Sequence, residues 1–313
     1  MRLLRAELTR LFSRRFTRVM LLVLVLVLTV IAGVLASQTR TPTPADLQRA
    51  EAQAADQRAQ CRTATEDAPE GESACDSIQA DAFLPYALDF RSEMPDLLPI
   101  LTVLLVLFGY LVGASFLGAE WSSGGISQLL LWRVERTRVL LSKLLAVLLA
   151  VVGIGLALGA AWTAAIWFIS HNFGRSSKLT SEFWVSLGED GARGLALALL
   201  IAAARVAVAS LGRRTAAALG LAIGYLVVWE MGARLVMMAL GVPLAERYLL
   251  SSYVFGLLFG EYPVVDYTQS CTSMICEPQQ FVIVWPWALA LIGGISLLMV
   301  LTSVTFFRRR DIA

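Results

Sequence analysis

Apolar residues gather into six long runs, at 19–36, 97–117, 139–169, 194–211, 216–240 and 282–307, separated by charged or polar segments. None of the runs alternates with the period of a half-buried strand. A bilayer core about 30 Å thick needs about 20 mainly apolar residues per helix, because backbone polar groups in lipid must be satisfied within the helix itself. The pattern therefore predicts an all-α integral membrane protein with six transmembrane helices. The third run holds 31 residues; at about 1.5 Å each it exceeds the hydrocarbon thickness, which predicts a tilted or projecting helix. No internal repeat is visible.

Composition agrees with that class. The 313 residues are 57% hydrophobic and only 16% charged, with a mean hydropathy of +0.68. A soluble domain of this length would need far more charge on its surface.

Lys and Arg beside the spans set the orientation, since they hold short loops on the cytoplasmic side. Segments 1–18, 118–143, 212–215 and 308–313 hold 15 basic residues in 54 positions, whereas 37–96, 170–193 and 241–281 hold 9 in 125. Both termini are expected inside and the three longer connections outside, in a multi-pass protein of the cell (plasma) membrane. The first run is followed by further spans and lacks a small-residue cleavage site, so it reads as a span and not a cleaved signal peptide.

Cysteine usage points the same way. Cys61, Cys75, Cys271 and Cys276 all fall in segments assigned to the oxidising side. Two disulfides are expected, and pairing 61 with 75 and 271 with 276 is the simplest of three connectivities. The competing reading is four unpaired or metal-binding thiols, but no histidine lies near them and neither pair has CxxC spacing. The outer loop 37–96 holds 12 acidic and 5 basic residues and too few large apolar side chains to build a core. Thr43, Pro44 and Asp46 mark a helix start, with Thr43 as the cap and Asp46 reaching back. A small disulfide-bearing extracellular cap follows, either a solvated lid or a substrate-sensing element.

The chain offers little catalytic chemistry. Its two lysines, Lys143 and Lys178, follow serines and not a Gly-rich turn, so it has no P-loop. The single histidine, His171, sits at a span boundary, which leaves no triad and no histidine-based metal cluster. The ionisable residues within the runs are Arg205, Glu230 and Arg234, each costly enough in lipid to need a reason. By depth, Arg205 lies about 10 Å and Glu230 about 22 Å from the cytoplasmic ends of their spans, too far apart to pair easily. Glu230 and Arg234 have the i, i+4 spacing of a helical ion pair. They read either as a polar patch on a translocation path or as a pair fixing helix packing, while Arg205 is expected to snorkel along its own helix. In 1–18, Leu3, Leu4, Leu8, Leu11 and Phe12 recur at helical spacing against Arg2, Arg5, Arg10, Arg14 and Arg15. That is an N-terminal amphipathic interfacial helix.

The segment 118–138 reads Gly118-Ala119-Glu120-Trp121-Ser122-Ser123-Gly124-Gly125, then Leu129-Leu130-Leu131, then Arg136-Thr137-Arg138, with Lys143-Leu144-Leu145 opening the next span. It resembles the corresponding loop of the type-2 ABC exporter permeases. The ending Phe306-Phe307-Arg308-Arg309-Arg310 is similar to that family's usual C-terminus. The resemblance implies a permease subunit with no cofactor of its own, paired with a second permease, identical or homologous. It further implies two cytoplasmic ABC ATPase subunits that bind ATP and Mg. In such proteins the loop after the second span is a coupling helix, which makes Glu120 the acidic contact with the ATPase and places Ser123, Gly124 and Arg136 in the docking segment. A short re-entrant helix is expected in 241–281, within 245–259. The other partners expected are membrane lipids; nothing points to nucleic acid. Apolar spans with few charges favour a hydrophobic or amphiphilic cargo, such as a drug, peptide or lipid. Two other classes fit the topology: a non-transporting membrane anchor or signalling subunit, which would not need the 118–138 pattern, and a membrane enzyme, for which the spans hold too few polar residues.

Overall fold

The computed structural model describes residues 2–64, 75–122, 136–175, 177–212, 215–266 and 279–309. Helices dominate: α1 (Arg2–Ser13), α2 (Arg15–Gln38), α3 (Pro44–Ala64), α4 (Phe90–Ser122), α5 (Arg136–Phe173), α6 (Ser181–Gly212) and α7 (Thr215–Tyr225). The last continues through a π-helical stretch, Leu226–Ala233, into α8 (Arg234–Ala239). A short helix α9 (Leu250–Phe259), a hairpin of β1 (Glu261–Val265) and β2 (Gln280–Val284), and α10 (Trp285–Arg309) complete the order.

Among the described residues, six helices are long and apolar enough to cross a membrane. Three of them, α4, α5 and α6, have 33, 38 and 32 residues, so each exceeds the length a hydrocarbon core requires. They begin or end well beyond the apolar runs because helical hydrogen bonding continues through polar turns. One boundary differs in kind. The run 282–307 predicts helix from its first residue, but Val282, Ile283 and Val284 lie in β2, and the helix starts at Trp285. The β-branched triplet suits a strand, and Pro286 suits the first turn of a helix, where its missing N–H costs nothing. The fold is therefore mostly helical and not all-α.

Contacts divide the chain into two compact units. The first contains Met1–Leu26, Pro95–Ala160 and Ser181–Ala313. Its larger core joins Leu11 of α1, Leu24 of α2, Phe108, Val112 and Phe116 of α4, Val147 and Val151 of α5, and Ala198, Ala202 and Val206 of α6. A second core joins Leu197, Leu257, Val264, Ile283, Ala288 and Ile292. In the antiparallel hairpin Glu261 faces Val284 and Val265 faces Gln280. α9 lies directly on β2: a Cβ at Gly256 would fall 2.9 Å from Cγ2 of Ile283 and 3.1 Å from its carbonyl oxygen, so only glycine permits this approach.

The second unit contains Val27–Met94 and Ala161–Thr180. Its helix α3 starts with a reciprocal cap. The Thr43 N–H and hydroxyl donate to Oδ2 of Asp46 at 3.0 and 2.7 Å, and the Asp46 N–H donates back to Oγ1 of Thr43 at 3.3 Å. These bonds, with Arg40 and Arg49 nearby, hold the Asp46 carboxyl below its usual range. Farther along α3, Arg58 donates to the Ile78 carbonyl at 2.7 Å and Arg62 pairs with Asp76 at 2.7 Å. The sulfurs of Cys61 and Cys75 are bonded across a Cα–Cα distance of 5.6 Å. Cys271 and Cys276 lie outside the described residues.

Candidate functional site

Three helical stripes in the first unit converge on one cluster of charges. In α1, Glu7 and Leu11 are one helical turn apart on a single face, and Arg14 stands at the elbow where α1 gives way to α2. In α4, Phe116 and Glu120 share a face by the same spacing. Lys143 lies in the second turn of α5, just after the buried pair Val139 and Leu140. Sequence periodicity assigns Leu3, Leu4, Leu8, Leu11 and Phe12 to a lipid face. The structure instead buries Leu11 and Glu7 inside the unit and leaves Arg5, Arg10, Phe12 and Phe16 exposed.

The Lys143 ammonium donates to Oε2 of Glu7 at 2.8 Å and lies 2.6 Å from Oε2 of Glu120. Arg14 reaches the other Glu120 oxygen, Oε1, at 2.8 Å, and donates to the carbonyls of Ser115 and Phe116 at 3.3 and 3.1 Å. Those two carbonyls lie one to two turns before the end of α4, so Arg14 holds that helix by its backbone as well as through Glu120. Both cations also lie over the Phe116 ring, with Arg14 Cζ 4.7 Å and Lys143 Nζ 5.0 Å from its centroid. The side chains of Lys143 and Glu7 are 2% and 1% exposed, that of Glu120 15%. Glu7 and Lys143 are thus closed to water, while Arg14, 25% exposed, and Glu120 form the more open side of the cluster. Buried charges persist only when so paired.

This clamp has a mechanical consequence. Residues 123–135 connect α4 to α5, and the clamp locks the last turn of α4 to the second turn of α5 and to α1. Of the coupling residues expected from sequence, Glu120 is at the centre of the clamp, held from within the chain. Ser123 and Gly124 lie outside the described residues, as does the side chain of Arg136, whose backbone opens α5. Sequence reasoning missed Glu7, Arg14 and Phe116. The available signal was Glu7 itself, an acid on the leucine face of an amphipathic helix.

The intramembrane residues are arranged differently from their sequence reading. Arg205 does not snorkel. It is 3% exposed, and its guanidinium carbon sits 3.8 Å from the centre of the Tyr110 ring, because α4 offers an aromatic face at that level. Glu230 and Arg234 do not pair with each other. The segment 246–251 lies across their common face and offers each a partner: Glu230 accepts the Ser251 N–H and hydroxyl at 3.0 and 2.7 Å, and Arg234 pairs with Glu246. Among the described residues no three His, Cys, Asp or Glu side chains could hold a metal.

The profile of the family described as ABC-2 family transporter protein matches residues 8–312. No curated protein matches the chain.

Proposed function

The chain belongs to the ABC-2 family of transporter proteins, and from that premise we propose that it is the membrane-spanning permease of an ATP-driven exporter. Its six spans carry a hydrophobic or amphiphilic substrate, a drug, peptide or lipid, out of the cytoplasm or the inner leaflet. Both termini face the cytoplasm, α1 lies along the inner lipid interface, and the unit with the Cys61–Cys75 disulfide forms an extracellular cap. ATP and Mg are bound by two separate ABC ATPase subunits, and a second permease, identical or homologous, completes the pore.

The observation that carries this reading is the buried clamp of Glu7, Arg14, Glu120 and Lys143. A loop that merely connects two spans needs no such brace. A loop that receives a push from an ATPase does, because any slack between α4, α5 and α1 would dissipate the movement before it reached the spans. Glu120 then acts as the inner anchor of the docking segment, and Ser123, Gly124 and Arg136 supply the surface that meets the ATPase.

The reading is tested by placing a photo-crosslinking residue at Ser123 or Gly124 in the chain in its own membranes. Capture of a P-loop ATPase is the expected result. Efficient crosslinking to lipid alone, in a correctly folded protein, would overturn it.

A further inference from the structure

Three side chains of the fifth span, Trp229, Glu230 and Arg234, reach one short stretch of the chain that follows it, and Tyr225 joins them through Glu230. The Tyr225 hydroxyl donates to Oε1 of Glu230 at 3.0 Å, and the Trp229 indole donates to the Tyr248 carbonyl at 3.3 Å. Glu230 accepts both the N–H and the hydroxyl of Ser251, and Arg234 is paired with Glu246.

The winding of the helix accounts for this convergence. At about 100° per residue, positions 225, 229, 230 and 234 of an α-helix spread over about 180°. With the i→i+5 bonding of a π-helix, at roughly 80° per residue, the same positions gather within about 80°. The stretch 226–233 is π-helical, and π segments, rare overall, are frequently found at functional sites.

These contacts hold one end of α9. The Glu230 carboxylate sits on the first turn of that helix, where the macrodipole favours an anion. At the opposite end, the Arg193 guanidinium lies against Gly260: a Cβ there would fall 3.0 Å from Arg193 Cζ. Arg193 is itself paired with Asp190, and a cation at a helix C-terminus is favoured in turn. The connection into α9 contains Leu244 in the left-handed region (φ 51°), a conformation a branched side chain adopts only under constraint. The last residues of α9, Leu258 and Phe259, wall a cavity of about 210 Å³ whose other sides include Pro95, Pro99 and Thr102 of α4 and Asp190 of α6.

We propose that α9 is a hinged lid on this cavity, latched at one end by the π-wound face of the fifth span and at the other by Arg193. Rewinding of 226–233 to α geometry is the release, because it turns Glu230 and Arg234 away from Tyr225 and Trp229 and so breaks the latch as a unit. The latch is a property of this chain alone. Its role in transport rests on the permease reading, so the test uses neither ATPase nor nucleotide.

The reporter is Ser252→Cys, a small replacement at a site 3% exposed. The full chain in lipid nanodiscs is treated with a maleimide, and labelling at position 252 is followed by mass spectrometry. With the latch intact the thiol is protected. Glu230→Ala, and separately deletion of Val228 to remove the π register, should each raise the labelling rate at least about tenfold, as expected when a charged group's two hydrogen bonds are lost. Ser251→Ala, which removes only a hydroxyl, gives a smaller rise and keeps the test valid if the deletion fails to fold. Equal labelling in the reporter chain, Glu230→Ala and Ser251→Ala, with helical content and thermal midpoint unchanged, would overturn the proposal whatever the identity of the ATPase.

Discussion

Replacing Lys143 by Met tests the charge clamp most sharply, because it removes the cation while nearly preserving shape. The ammonium has two carboxylate contacts, at 2.8 Å to Glu7 and 2.6 Å to Glu120. At an effective dielectric near 20 each is worth about 6 kcal/mol before desolvation is subtracted. Desolvation of groups this buried offsets most of that sum, so the pair adds little beyond what apolar packing would. Removal of one partner is another matter. Lys143→Met leaves Glu7 with only the exposed Arg10, 3.6 Å away, and should cost about 3–5 kcal/mol. Glu7→Leu leaves Lys143 still paired with Glu120 and should cost less. The double variant Glu7→Leu/Lys143→Met removes the stranded acid and should be more stable than Lys143→Met alone, a marked departure from additivity. Thermal or denaturant unfolding in a single mild detergent ranks the three. Additive losses, or a Lys143→Met protein as stable as the parent, would refute the argument.

Other outcomes follow from the same reasoning. Tyr110→Phe keeps the ring face beneath Arg205 and should leave stability within about 0.5 kcal/mol, whereas Tyr110→Leu removes a desolvated cation–π contact worth about 2 kcal/mol; unfolding midpoints of the two variants decide. Gly256→Ala forces a methyl against Ile283, and such overpacking typically costs about 1–3 kcal/mol, readable as a lower thermal midpoint. Asp46 has a folded pKa below its ordinary value of 3.8, so it stabilises the start of α3 above that value and the contribution is lost as pH falls below it. The hydrogen-exchange protection factor of the first turn of α3, taken against the intrinsic rate at each pH, should therefore fall below about pH 4 in the parent, and Asp46→Asn should be less protected than the parent at neutral pH and lose most of that pH dependence.

Much of the architecture was legible because lipid leaves the backbone so few options. Six apolar runs become six helices, and the Thr43–Asp46 cap is written in four adjacent residues. What escaped the sequence depends on contacts between distant elements. Glu7 drew no role from the sequence, because its partner Lys143 stands 136 positions away on α5. The ion pair between Glu230 and Arg234 rested on regular spacing alone. It fails because residues 246–251, brought back across the helix, present better partners. The triplet Val282-Ile283-Val284 is equally apolar as span or strand, and only its pairing with β1 decides. Arg205 needed Tyr110, a neighbour no spacing rule connects to it.

The most direct test of the account is purification of the tagged chain from its own membranes in mild detergent, with identification of what accompanies it and comparison with a Glu120→Ala/Arg136→Ala variant. The account predicts that a P-loop ATPase accompanies the parent and is lost, or hydrolyses ATP without coupling, in the variant. An intact, folded parent that brings down no ATPase would contradict it.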